Sequence, residues 1–130
     1  MAEHPNVEVW RKGHAAFSSR DMDSIRRYLA EDVTYHVPGS NPLSGDHVGL
    51  QAVLDFLAQG VVKTGGTLKV EPHEVMATDD HVVALVKISA TRDGRQFSYN
   101  GVNVYHVKDG KLTEAWLFNF DPQVSAELFA

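Results

Sequence analysis

At 130 residues, with 12 Lys+Arg against 17 Asp+Glu and 43% hydrophobic residues, the chain has the size and composition of one folded domain spanning residues 1–130. The mild acidity, with no basic run beyond Arg11-Lys12 and Arg26-Arg27, argues against nucleic acid as a partner, and the absence of cysteine excludes disulfides, thiolate nucleophiles and Cys-bound metals. The start MAEHPNVEVW lacks the basic head and apolar core of a signal peptide, and no apolar run approaches membrane-spanning length, so a cytoplasmic protein with no membrane partner is expected.

Val7, Trp10, His14 and Phe17 recur at helical spacing and predict a first helix from about Asn6 to Ser18, with Gly13 a local weakness. His14 lies on that stripe and reads first as a packed core histidine. Asp21 can cap a short second helix carrying Met22, Ile25 and Leu29. Val33 to Val37 then alternates apolar and polar residues as a strand does, and Pro38 and Gly39 stop it. The result is an imidazole, His36, one residue inside a strand end. Such a group exchanges protons near neutrality; the competing reading is a histidine merely hydrogen-bonded beside a turn. Leu50, Val53, Leu54 and Leu57 mark a third helix after Gly49, which Gly65-Gly66 ends.

From Thr67 to Phe120 the pattern predicts four long strands separated by turns at Asp79-Asp80, Asp93-Gly94 and Asp109-Gly110. The two Asp-Gly pairs suit type I′ hairpin turns, and Pro72 implies an edge or a bulge. Helices first and strands second predict an α+β fold with helices on one face of an antiparallel sheet. Two-residue turns also predict register. Closing at Asp93-Gly94 pairs Ala90 with Phe97, Ile88 with Tyr99, Val86 with Gly101, Ala84 with Asn103 and Val82 with Tyr105. Closing at Asp109-Gly110 pairs Tyr105 with Glu114, Asn103 with Trp116, Gly101 with Phe118 and Tyr99 with Phe120. One face would then join the aromatics Tyr99, Trp116, Phe118 and Phe120 to the polar group Asn103, Tyr105 and Glu114, a wall suited to a small, flat apolar ligand. The opposite face would carry Val83, Leu85, Val102, Val104, Ala115 and Leu117, with Asn119 among polar residues at one end. A second copy of the chain is the simplest cover for it.

Asp121 followed by Pro122 reads as the N-cap of a last helix, Gln123 to Phe129. The seven histidines form no HxH or HExxH, and no GxGxxG is present, so neither a metal nor another cofactor is expected. Trp10, Phe17, Tyr35, Trp116 and Phe118 are core or pocket wall.

The phrase DMDSIRRYLAEDVTYHVPGSNPLSG, the paired Asp-Gly hairpins and the late EAWLF strand resemble the nuclear transport factor 2-like superfamily, in its SnoaL-like polyketide cyclase and ketosteroid isomerase branches. The resemblance covers nearly the whole chain. It implies a cone-shaped, curved antiparallel sheet wrapped around three N-terminal helices, a central apolar pocket and a homodimer through the outer sheet face. It places the isomerase's base at His36 and one of its two oxyanion donors at Tyr105; the other falls near Gly13, where the isomerase's tyrosine is missing. The cyclase comparison draws in Glu114 and, as an alternative to its capping role, Asp121. The function so implied is cofactor-free acid-base catalysis, as an isomerase, cyclase or related lyase or hydrolase, on a small hydrophobic cyclic carbonyl compound such as a polyketide or steroid. His36, Tyr105, Asn103, Glu114 and Asp121 would be catalytic, with Trp10, His14, Phe17, Tyr35, Tyr99, Trp116 and Phe118 around the substrate. The alternative is a non-catalytic ligand-binding or dimerisation module of the same fold.

Overall fold

The computed structural model describes residues 3–130. Helix α1 (Pro5–Ser18) starts where Pro5 can occupy the first turn without wasting an amide, and the His4 imidazole accepts from Asn6 N. Helix α2 (Met22–Ile25) is capped by Asp21, whose carboxylate accepts from Ser24 N at 3.1 Å. A 3₁₀ turn (Arg26–Tyr28) leads into β1 (Leu29–Val37), so Leu29 begins the strand and does not close the helix as its spacing suggests. Strand β2 (Gly45–Val48) returns along β1, and α3 (Leu50–Lys63) follows Gly49, which adopts φ 93°, open to glycine at little cost.

The remaining strands are β3 (Lys69–Ala77), β4 (His81–Arg92), β5 (Arg95–Lys108) and β6 (Lys111–Asn119), followed by helix α4 (Pro122–Leu128). They form one curved sheet in the order β2-β1-β6-β5-β4-β3. The pairing of β1 with β6 is parallel, a departure from the wholly antiparallel expectation. β1 lies between β6, which runs parallel to it, and β2, which turns back antiparallel along its other edge. Asp93-Gly94 and Asp109-Gly110 all hold positive φ between 53° and 78°, as type I′ turns require. Pro72 lies on the edge strand β3 beside a register shift, where no ladder needs its missing amide.

The β4–β5 register is the one predicted at all five pairs. The β5–β6 register is not. Lys108 pairs with Lys111 and Val107 with Leu112, but His106 pairs with Glu114, leaving Thr113 as one extra residue in β6. Beyond this bulge Tyr105 faces Ala115, Asn103 faces Leu117 and Gly101 faces Asn119. A one-residue slip exchanges the two faces of a strand. Glu114, Trp116 and Phe118 therefore lie on the convex face, and Ala115, Leu117 and Asn119 on the concave face; Phe120 lies beyond the strand and is 69% exposed.

The concave face packs on the helices. Val33, Val53, Val82 and Ala84 are fully buried between sheet and helices, and Leu128 of α4 joins Leu68, Ala90, Phe97 and Tyr99 at one end. Among the described residues no helix is long and apolar enough to cross a membrane.

Candidate active site

Between the concave face and the helices lies a cavity of about 180 Å³, walled by apolar groups such as Phe17, Phe56, Leu57, Ile88 and Leu117. Pockets for drug-sized ligands measure about 300–1,000 Å³, so this smaller cavity suits a molecule of one or two rings. The polar groups reaching it come from every layer: His14 from α1, Tyr28 from the 3₁₀ turn, Tyr35 from β1, Tyr99, Asn103 and Tyr105 from β5, Asn119 from β6 and Ser125 from α4.

Four-residue spacing on α1 stacks His14 on Trp10, with ring centroids 4.8 Å apart and planes 8° apart. Ser18 Oγ stands 3.4 Å from His14 Nε2. Burial, with a smaller contribution from the Arg11 charge, holds the imidazole pKa below its ordinary value. His14 is thus neutral at neutral pH and able to accept a proton.

Alternate inner-face positions of β5 place Asn103 and Tyr105 side by side, and Tyr35 of β1 meets Tyr105 edge-on at 6.4 Å. Both tyrosines are buried. Burial pushes the Tyr105 phenol up, against a smaller downward pull from hydrogen bonds with Trp10 and Asn103. Tyr35 is pushed well above the phenol range by burial and then by Tyr105. Each keeps its proton and serves as a hydrogen-bond donor. Trp10 joins the two halves of the site, because its indole stacks on His14 and lines the cavity together with Tyr105.

His36 is elsewhere. Tyr35 and Val37 point into the cavity, so His36 between them points to the convex face. There its Nε2 lies 2.6 Å from Glu114 Oε2 and its Nδ1 lies 2.8 Å from Asp46 Oδ1, and its ring stacks on Trp116 at 5.3 Å. His106 approaches the other oxygen of Glu114 at 3.6 Å and stands edge-on to Trp116, with His81 against His106. The hydrogen bond to Glu114, then that to Asp46, raises the His36 pKa. With both ring nitrogens engaged by carboxylates, His36 has no free nitrogen to offer a substrate.

The cavity thus brings together Trp10, His14, Phe17, Tyr35, Tyr99, Asn103 and Tyr105 from the residues selected by sequence. His36, Glu114, Trp116 and Phe118 are on the opposite face, moved there by strand parity and by the Thr113 bulge. Asp121 is outside the cavity lining and caps α4, its Oδ1 accepting from Val124 N at 3.3 Å. Sequence reasoning missed Tyr28, Asn41, Phe56, Asn119 and Ser125. Phe56 and Ser125 could have been found from the inward faces of their helices; Asn119 turns inward only because of the bulge. Among the described residues no three His, Asp or Glu side chains are gathered for a metal ion.

A curved, unclosed α+β sheet around helices with one polar-floored cavity defines the nuclear transport factor 2-like class. Within that class the chain belongs to the SnoaL-like domain family, whose profile matches residues 10–115. It is similar to the uncharacterized protein Rv0034 of Mycobacterium tuberculosis, 27% identical over the full length of both chains. Among solved structures it is similar to Bal32a from a soil-derived mobile gene cassette, with TM-score 0.92 and 28% identity over 96% of each chain. It is also similar to TerC co-crystallized with polyporic acid, with TM-score 0.85 and 28% identity over 97% of this chain and 98% of that one.

Proposed function

We propose that this protein binds a small hydrophobic cyclic carbonyl compound in its cavity and moves a proton next to the carbonyl without a cofactor. The observation that carries this reading is the joint presence, in one apolar cavity, of a neutral imidazole and two protonated phenols. His14 takes the proton from the carbon adjacent to the carbonyl. The C–H electron pair passes to the oxygen, and the enolate so formed accepts hydrogen bonds from Tyr105 and Tyr35. His14 then returns the proton to the same or a neighbouring carbon, which makes the step an exchange or an isomerisation. A positioned base contributes about 10²–10⁴-fold and an oxyanion donor about 10²–10³-fold, so both are required for a useful rate. TerC's co-crystallization with polyporic acid supports a small organic ligand for the fold.

Proton exchange into D₂O, followed by NMR on a panel of flat enolisable ketones, tests the step for the whole substrate class at once. The expected result is exchange that falls about 100-fold or more in His14→Gln and by a similar factor in Tyr105→Phe. Ketones that bind and never exchange would overturn the chemistry in favour of a binding module.

The partner on the protein side is a second copy of the chain. The convex face carries Val83, Leu85, Val102, Val104 and Trp116 in register around Phe118, which is 50% exposed, and the helices are already used on the other side.

A further inference from the structure

We infer that the cavity recognises two oxygen functions at once, a carbonyl at the Tyr105 end and a hydroxyl at the opposite end, where Tyr99, Ser125 and Asn119 meet. The inner face of β5 presents Tyr99, Gly101, Asn103 and Tyr105 in sequence. The six residue steps from Tyr99 to Tyr105 span about 20 Å of backbone, less across a curved sheet, and the two polar groups are therefore separate. Gly101 stands between them without a side chain. A Cβ there would come within 2.7 Å of the Phe118 carbonyl oxygen, so β6 approaches this closely only because the residue is glycine, and Ile88 supplies the apolar surface between the two groups.

The side chains give each end a different polarity. At the Tyr105 end the buried phenol lines the cavity beside Asn103 and the Trp10 indole, and its O–H is a donor. Tyr35 adds a second O–H. That end offers donors, and a carbonyl or enolate oxygen supplies only lone pairs, so the two match.

At the other end Asn119 Nδ2 donates to Ser125 Oγ at 3.1 Å, with Tyr99 lining the same cavity. Ser125 is buried, and its Oγ is engaged by that bond. Tyr99 O–H remains as a donor, and Asn119 Oδ1, which stands 3.8 Å from where a Gly101 Cβ would be, remains as an acceptor. A donor beside an acceptor is the complement of a hydroxyl. This end adjoins a second hollow of about 160 Å³ that shares Pro38, Asn41, Asn119 and Ser125 with the cavity. The ligand class is a flat hydroxyketone that enters carbonyl first. The carbonyl end of this assignment rests on the proton-transfer reading above; the hydroxyl end does not.

The test uses a Trp116→Phe protein, in which Trp10 alone reports binding by fluorescence, and three bicyclic probes. These are 1-tetralone, a hydroxytetralone with its hydroxyl on the distal ring, and the methyl ether of that hydroxytetralone. The hydroxytetralone is expected to bind about tenfold more tightly than the parent ketone, with the methyl ether no better than the parent. Tyr99→Phe and Asn119→Leu are each expected to remove that preference. Tyr105→Phe should weaken all three probes equally and keep the ratio. Equal affinity of hydroxytetralone and parent overturns the proposal, as does a preference that survives both variants or no binding by any probe at millimolar concentration. Preference without proton exchange refutes only the chemistry above; exchange without preference refutes only this assignment.

Discussion

His36 holds its place by charge, and that has a consequence for stability. Its folded pKa is raised above the ordinary 6.5 by Glu114 and then Asp46. A group whose pKa rises on folding binds more protons in the native state, so its contribution is fully present below about pH 6.5 and is lost as pH climbs through the folded value. His14 has the opposite sign, because burial lowers its pKa. The native state then binds fewer protons there, and stability from that site rises with pH. The two oppose one another in any whole-protein profile, so the His36 effect is read from a difference. Urea unfolding of wild type and His36→Gln at fixed protein concentration should show the largest gap near pH 6 and a shrinking gap towards pH 9. A gap that is constant or grows with pH would refute the ion-pair account of His36.

At the level of elements, α4 separates a capping role from a catalytic one at Asp121. The Asp121 carboxylate accepts from Val124 N, and Leu128 and Ser125 on the same short helix reach the core and the cavity. Removal of an N-cap side chain costs about 1 kcal/mol. Asp121→Ala should therefore lower the thermal midpoint by several degrees, and Asp121→Ser should restore most of it, with proton exchange within twofold of wild type in both. A loss of exchange of 100-fold in the folded Ser variant would make Asp121 catalytic after all. Elements themselves were legible because their signals are local. The periodicity of α1, the Asp-Gly turns and the Asp121-Pro122 start each depend on a few adjacent residues, and the turn geometry carried the β4–β5 register for as long as the ladder stays regular. The β5–β6 register failed at one residue, Thr113, which nothing in its immediate sequence marks as a bulge. That single insertion moved Glu114, Trp116 and Phe118 out of the predicted pocket and brought in Leu117 and Asn119. His36 was misplaced for a related reason: its position in the strand was correct, but the face it takes depends on which neighbours β1 pairs with.

For the whole molecule, the misplaced residues compose a surface of their own. The ladders align Met76, Val83, Val104, Trp116 and His36 in one row across the convex face, with Leu85, Val102 and Phe118 in the next. Met76 and Phe118 are each about half exposed, at 44% and 50%. The rows centre on β4, β5 and β6, where a matching patch on a second copy can cover them by a two-fold, self-complementary contact. The His36 cluster sits at the margin of that patch, and both of its carboxylates are bonded by one imidazole within the same chain. On β4, β5 and β6 the apolar rows are free of charged side chains. Sedimentation velocity should give a dimer at tens of micromolar for the wild type and a monomer for the double variant Val102→Lys, Phe118→Lys. Ligand binding through Trp10 should persist in that variant, because both lysines would project from the face opposite the cavity. A wild type that sediments as a monomer at every concentration would leave the convex face without its second copy, and loss of ligand binding in a folded double variant would show that the two faces of the sheet do not act independently.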